Sequence, residues 1–237
     1  MATYEYPNLI LNEDLPHTDC FNKDPSQLDI EFRDYERDSF SVCGFNIRSC
    51  RRNFSSFVSF LSLLMFRFSI IVLCETWLSE NIDYSFDIPG YNSVNLYRNC
   101  NGGGLKLFYD TIYSVSVIDS LTFINNVFEI LSVTLNGPNI KVTICSIYRP
   151  PNSDPYLFID QLINNVISKF NVGDKIIIIG DLNLNLYNPL NLRYIDEFIN
   201  SLLSLTFFPI ITLPTRIDER NSLNKHSLID HTYLVQL

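Results

Sequence analysis

The chain has 237 residues, enough for one large domain with a proper core. Hydrophobic residues make up 46%, with 18 Phe and 13 Tyr, which excludes a disordered or low-complexity protein. The formal net charge of −9 is unevenly spread: residues 1–40 hold ten acids against Lys23, Arg33 and Arg37, and the remainder holds sixteen against fourteen. The body is therefore near neutral, a balance compatible with DNA although no basic patch argues for it. Six cysteines (Cys20, Cys43, Cys50, Cys74, Cys100 and Cys145) form no CxxC pair and no Cys/His cluster. Three of them, Cys43, Cys74 and Cys145, fall inside predicted strands, where free thiols act as small apolar residues. An intracellular, reduced protein is expected rather than a disulfide framework. The acidic N-terminus does not read as a signal or transit peptide.

Residues 1–38 carry Pro, Asn and Asp with little periodicity and are expected to form an acidic, irregular leader. A single domain is expected over 39–237. It opens with SFSVCGFNI as a first strand, and Asn46 stands at that strand's end, where Asn also suits a simple turn. Residues 54–68 form a dense apolar run, continued by SIIVLC at 69–74. The eighteen residues 57–74 reach the minimum for a membrane-spanning helix. Arg67 interrupts them, at about 2.5–3.5 kcal/mol if placed centrally in a bilayer. An amphipathic core helix followed by a buried strand is the preferred reading, with a break between residues 67 and 70. Glu75 lies just past that strand, in CETW, and a carboxylate after so apolar a run is costly unless paired or bound to a cation.

Asn101-Gly102-Gly103-Gly104 reads as a loop entering the strand LKLFYD. It lacks GK[ST] and a following helix, so it is no P-loop. Residues 127–135 and 140–148 read as strands joined by N-G-P-N, a hairpin signal. The second strand ends at Tyr148-Arg149-Pro150-Pro151, where a Tyr and an Arg stiffened by prolines suit donation to a phosphate. Asp154-Pro155 has the form of an N-cap and first helical residue. Phe158, Leu162, Ile163, Val166, Ile167 and Phe170 then make a helical core stripe. Four isoleucines, 176–179, form a doubly buried strand, completing a strand–helix–strand unit. Gly180 lets the backbone turn, and Asp181 and Asn183, two residues apart, project to one side and converge on one point. An acceptor and a donor sharing one spot suit a water, a metal or a phosphate oxygen, and suit equally an Asx-turn closing a buried strand. Residues 193–205 are a second amphipathic helix, FFPIITLPTR returns as an extended segment to Thr215 and Arg216, and a last strand begins near Ser227.

Asn46, Glu75, Tyr148, Asp181, Asn183 and Asp230 thus each stand at or near a strand end, where folds alternating strands and helices carry their sites. They are expected to converge on one cleft, within roughly 10 Å of its centre, the scale of a metal with its surrounding ligands. In order, FNIRS, LCETWLS, NGGGLKLFY, SIYRPPN, GDLNLNL, PTRI and SLIDH resemble the endonuclease/exonuclease/phosphatase family. The closer resemblance is to the endonuclease domain of jockey-like non-LTR retrotransposons. It runs from about residue 39 to 237. It implies an α/β fold, the family's two-sheet α/β sandwich, here lacking its last strand or strands.

The resemblance also implies roles. Glu75 looks like the carboxylate that holds a catalytic Mg²⁺ (with Mn²⁺ as a substitute), and Asn46 supports it. Asp181 looks like the group that orients and deprotonates the attacking water, and Asn183 like a group that fixes the phosphate. Tyr148 resembles the phenol that stabilises developing charge, and Asp230 the Asp that orients a catalytic histidine. Arg149, Thr215 and Arg216 would face the DNA substrate. Two departures stand out. Arg48 occupies a position where repair-type relatives carry another acid. The family's terminal Ser-Asp-His motif does not follow the SLID strand before Leu237, so impaired cleavage is expected. His231, directly after Asp230, would face the opposite way and reads as structural. His17 and His226 have no motif around them.

The implied activity is Mg²⁺-dependent nicking of DNA, at a nuclear location, alongside a reverse transcriptase domain of a parent element that this chain does not contain. The alternatives are a truncated, non-catalytic element-derived fragment and, less favoured, a membrane-anchored protein using residues 57–74.

Overall fold

Strand alternation in two isoleucine-rich segments sets the layers. In β2 (Ile70–Cys74) all five residues are buried. Ile70, Val72 and Cys74 pack into the space between two sheets, whereas Ile71 and Leu73 pack outward under the helix α1 (Cys50–Leu63). In β9 (Ile176–Asp181) Ile177 and Ile179 face the same inter-sheet core, and Ile176 and Ile178 face a second core on the other side. A strand with two apolar faces needs a partner on each, and both strands have them. The architecture is accordingly a two-sheet α/β sandwich.

This computed structural model describes residues 40–81, 86–98, 102–171, 173–186, 192–211, 216–217, 226–227 and 230–235. For residues 192, 216, 217, 226, 227, 230, 231 and 235 only the backbone is described. The expected leader, 1–38, lies outside the described residues.

The smaller sheet has the order β1-β2-β4-β3, with β1 spanning Val42–Asn46, β3 Tyr91–Leu96 and β4 Leu105–Asp110. β1 and β2 run parallel, with Asn46 beside Cys74. The larger sheet is built around β5 (Ser114–Val117), β6 (Phe123–Ile124), β7 (Glu129–Asn136) and β8 (Lys141–Tyr148). With β10 (Phe207–Pro209) and β13 (Asp230–Val235), its order is β10-β13-β9-β8-β7-β5, and β6 pairs with β7. The helices α2 (Pro155–Gln161) and α3 (Leu192–Ser204) accompany its outer face. Phe158 of α2 and Phe198 and Leu202 of α3 join the outer core. After α3 come β10 (Phe207–Pro209), the small ladder of β11 (Arg216–Ile217) with β12 (His226–Ser227), and β13 (Asp230–Val235).

The hairpin forms as its turn residues imply, with eight residue pairs of β7 and β8 in antiparallel register. Asp154 caps α2 by accepting from the Tyr156 and Leu157 amides. Beyond Gln161 the helix widens by one residue per turn over Leu162–Val166, then tightens over Ile167–Lys169, instead of continuing as one regular helix. The stripe survives, with Leu162, Val166 and Ile167 buried. The run 57–74 splits as expected, although the helix already ends at Leu63 and the strand starts at Ile70. Between them Arg67 is anchored by Asp110 (Nε–Oδ2 2.6 Å) and the Gly90 carbonyl (2.5 Å). Among the described residues no helix is long and apolar enough to cross a membrane. The strands β3, β5 and β6 were not expected from the sequence, being short or mixed in polarity.

Candidate active site

The inter-sheet parity that buries Ile177 and Ile179 also carries Asp181 to that face, and the same alternation applies to Tyr148 in β8 and Glu129 in β7. Register places these three in one row: Glu129 opposite Tyr148, and Tyr148 opposite Asp181. From the facing sheet β1 delivers Asn46, and Glu75 follows directly on β2. The two sheets therefore contribute side chains to one end of the gap between them. Asn46 Nδ2 lies 2.6 Å from Glu75 Oε1 and 2.6 Å from Asp181 Oδ2, so one amide nitrogen donates to both carboxylates. The Tyr148 hydroxyl lies within the influence of the Glu75 and Asp181 carboxylates.

The backbone here is held in uncommon conformations. Glu75 and Trp77 both have φ 55° and Asn183 has φ 48°. The left-handed region is costly for Glu and Trp and milder for Asn, and such residues persist only where their surroundings hold them. Those surroundings are specific. The Glu75 carbonyl accepts from the Ser49 amide (2.8 Å) and the Thr76 carbonyl from the Cys50 amide (2.9 Å). On the other side the Thr76 and Trp77 amides donate to the Gly104 and Gly103 carbonyls (3.2 and 2.9 Å). The first turn of α1 and the glycine loop thus grip the Glu75 segment from both sides.

Asp181 is 2% exposed. Its Oδ1 accepts from the Asn183 amide (3.0 Å), the expected Asx-turn, which leaves Oδ2 toward Asn46. Asn183 directs its own amide to the Arg149 carbonyl (2.8 Å), so it closes the loop beside the cleft. Arg149, expected to face substrate, is 3% exposed. Its guanidinium donates to the carbonyls of Leu182 (2.6 Å), Asn183 (2.6 Å) and Ser153 (2.7 Å). It ties the loop after β9 to the Arg-Pro-Pro turn, and burial pulls its pKa down from the usual arginine value. Replacing Arg149 by Ala removes a buried charge-assisted network and orphans three carbonyls. A destabilisation of about 3 kcal/mol is expected in a denaturant titration.

Burial raises the Tyr148 phenol well above its ordinary pKa, and the carboxylates of Glu75, Asp181 and Glu129 push it the same way. The hydroxyl therefore stays protonated, as a hydrogen-bond donor, across the physiological range. Glu129 has no counterpart among the sequence expectations. It is fully buried, and burial raises its pKa, opposed by the Gly104 amide and by Arg98. An acid within the otherwise uncharged, largely apolar VFEILSVTL was the available signal, because such a residue must find partners.

Among the described residues no three His, Cys, Asp or Glu side chains form a metal cage. Mg²⁺ does not need one, since it is typically held by one or two carboxylates, waters and substrate phosphate oxygens. Glu75 and Asp181, brought together across one amide and offering hard oxygen donors, fit that requirement. Asp230 is the backbone partner of Asp181 across β13 and β9, and His231 that of Gly180, with both side chains outside the described residues. Arg216 is described only as backbone in the β11–β12 ladder, and Thr215 lies outside the described residues.

No family model and no curated protein matches this chain. Solved structures do. The endonuclease domain of TRAS1, a telomere-specific non-LTR retrotransposon, is 15% identical over 84% of this chain and 86% of that one, with a TM-score of 0.59. A 3′–5′ exonuclease from Neisseria meningitidis is 16% identical over 81% and 86%, at 0.62. A mannosyl-6-phosphatase from Bacteroides thetaiotaomicron is 11% identical over 83% and 85%, at 0.56.

Proposed function

We propose that this chain, which has the endonuclease/exonuclease/phosphatase fold, is a Mg²⁺-dependent phosphodiester hydrolase that nicks DNA. The observation that carries the reading is the single amide of Asn46 bridging Glu75 and Asp181 from opposite sheets. Two carboxylates so close repel one another unless a cation or a reacting proton lies between them. With a Tyr donor beside them they supply the parts that phosphodiester cleavage needs.

Asp181 has its orientation fixed at both oxygens, by Asn183 and Asn46, and acts as the base that takes a proton from the attacking water. The water oxygen forms the new bond to phosphorus as the bond to the 3′ oxygen breaks, and that oxygen takes up a proton from solvent, leaving a 3′-hydroxyl and a 5′-phosphate. Tyr148, kept protonated by its acidic neighbours, donates to the phosphate oxygens as negative charge builds on them. Glu75 would hold Mg²⁺, which supplies positive charge to the phosphate when bound. Asn46 holds the two acids in register. Support for a retrotransposon-type DNA substrate comes from the ordered motifs and from the TRAS1 domain among the structural neighbours.

The substrate class is tested with a nicked-product analysis. Product strands from a labelled duplex should be extended by a DNA polymerase, which requires a 3′-hydroxyl, and EDTA should abolish their formation. Hydrolysis of p-nitrophenyl phosphate with no cleavage of DNA would instead assign a phosphatase. Tyr148→Phe, which keeps the ring and removes the donor, should lower the nicking rate about 10²–10³-fold, by analogy with the loss of one oxyanion donor. Its thermal unfolding midpoint should stay near that of the wild type.

A further inference from the structure

Glu129 is a fully buried carboxylate one strand away from Tyr148, and the mechanism above gives it no role. Its Oε2 accepts from the Gly104 amide at 2.6 Å, and its Oε1 accepts from Arg98 Nη1 at 3.0 Å. A Cβ on Gly103 would stand 2.1 Å from that Oε1 and 2.8 Å from the Arg98 Cδ, at φ +65°. Glycine at 103 is thus what lets the carboxylate and the arginine meet against the loop. The Arg98 side chain remains 36% exposed.

We propose that Arg98, gripped by Glu129 beside the cleft, is a contact for a backbone phosphate of the nucleic acid. The inference rests on the nuclease reading above. A third acid close to Glu75 and Asp181 would repel an anionic strand, and Arg98 offsets it. Guanidinium has five N–H donors, and the bond to Glu129 uses one, so the same side chain can pair with a phosphate oxygen. Arginine held by a buried acid loses less conformational freedom on binding than a free surface arginine.

The test is equilibrium binding of a fluorescein-labelled DNA duplex, read by anisotropy in EDTA so that no cleavage occurs, between 50 and 200 mM NaCl, concentrations chosen to expose the salt slope. Arg98→Gln keeps a donor for Glu129 and removes the charge, and its circular dichroism spectrum and unfolding midpoint are compared with the wild type so that a folding defect is recognised. Arg193→Gln removes the same charge from an 88% exposed side chain on α3 and serves as the control. Arg98→Gln is expected to weaken binding about fivefold and to reduce the slope of log affinity against log salt by about one, the signature of one lost phosphate contact. Arg193→Gln should change neither. Equal effects of the two variants, or none from Arg98→Gln, overturn the assignment while leaving the nuclease reading intact. A wild type that binds no duplex overturns the phosphate assignment, and the Mg²⁺-dependent nicking assay then decides the nuclease reading separately.

Discussion

Asp181→Asn is expected to reduce DNA nicking about 10²–10⁴-fold, the range lost with a general base. The substitution is nearly isosteric but changes two contacts at once. Asp181 accepts at Oδ1 from the Asn183 amide and at Oδ2 from Asn46. An Asn has one carbonyl oxygen and one NH₂, so one of these acceptors becomes a donor facing a donor. Either the Asx-turn opens or the bridge to Glu75 breaks, and in both cases the remaining group cannot take a proton. The measurement is single-turnover nicking at saturating Mg²⁺. A variant that retains more than about a tenth of the wild-type rate would move the base to another residue. Circular dichroism should show an unchanged fold, because the backbone bond from the Arg149 amide to the Asp181 carbonyl (2.9 Å) does not depend on the side chain.

The largest effect on stability is expected at Gly180. This residue has φ +150° and sits in the middle of the larger sheet, beside Ile147 of β8. A Cβ there would lie 1.9 Å from the Ile147 carbonyl oxygen, which belongs to backbone and cannot rotate away. Gly180→Ala must therefore part β8 from β9 or strain the end of β9 that carries Asp181. A cost of about 4 kcal/mol combines backbone strain with overpacking. For a domain of this size that corresponds to a melting midpoint lowered by roughly 8–16 °C. A midpoint within about 2 °C of the wild type would contradict the tight β8–β9 register.

Much of the fold was legible because it rests on short-range rules. The isoleucine strand, the N-G-P-N hairpin and the Asp154-Pro155 cap each announce themselves within a few residues. The site was legible to the extent that strand ends collect polar residues, which placed Asn46, Glu75, Tyr148 and Asp181. What the sequence withheld concerns direction. Arg149 follows Tyr148 in the chain, and nothing local distinguishes an arginine aimed at substrate from one turned inward onto three carbonyls. Two of those three carbonyls belong to residues 182 and 183, more than thirty positions away. Glu129 escaped for a similar reason, since its partners Arg98 and Gly104 lie on a loop whose approach to β7 is a matter of tertiary packing. The left-handed backbone at Glu75 is equally invisible locally, being imposed by α1 on one side and the glycine loop on the other.

The cleft closed by Asn46, Glu75, Tyr148 and Asp181 is proposed to cleave phosphodiesters. This is tested most directly by Mg²⁺-dependent relaxation of supercoiled plasmid, comparing the wild-type chain with Glu75→Ala and Asp181→Ala under identical conditions. The expected result is nicked circles from the wild type, formed slowly, none above background from either variant, and none from any of the three in EDTA. Equal, negligible nicking by all three folded proteins, or nicking that survives both substitutions, would contradict it.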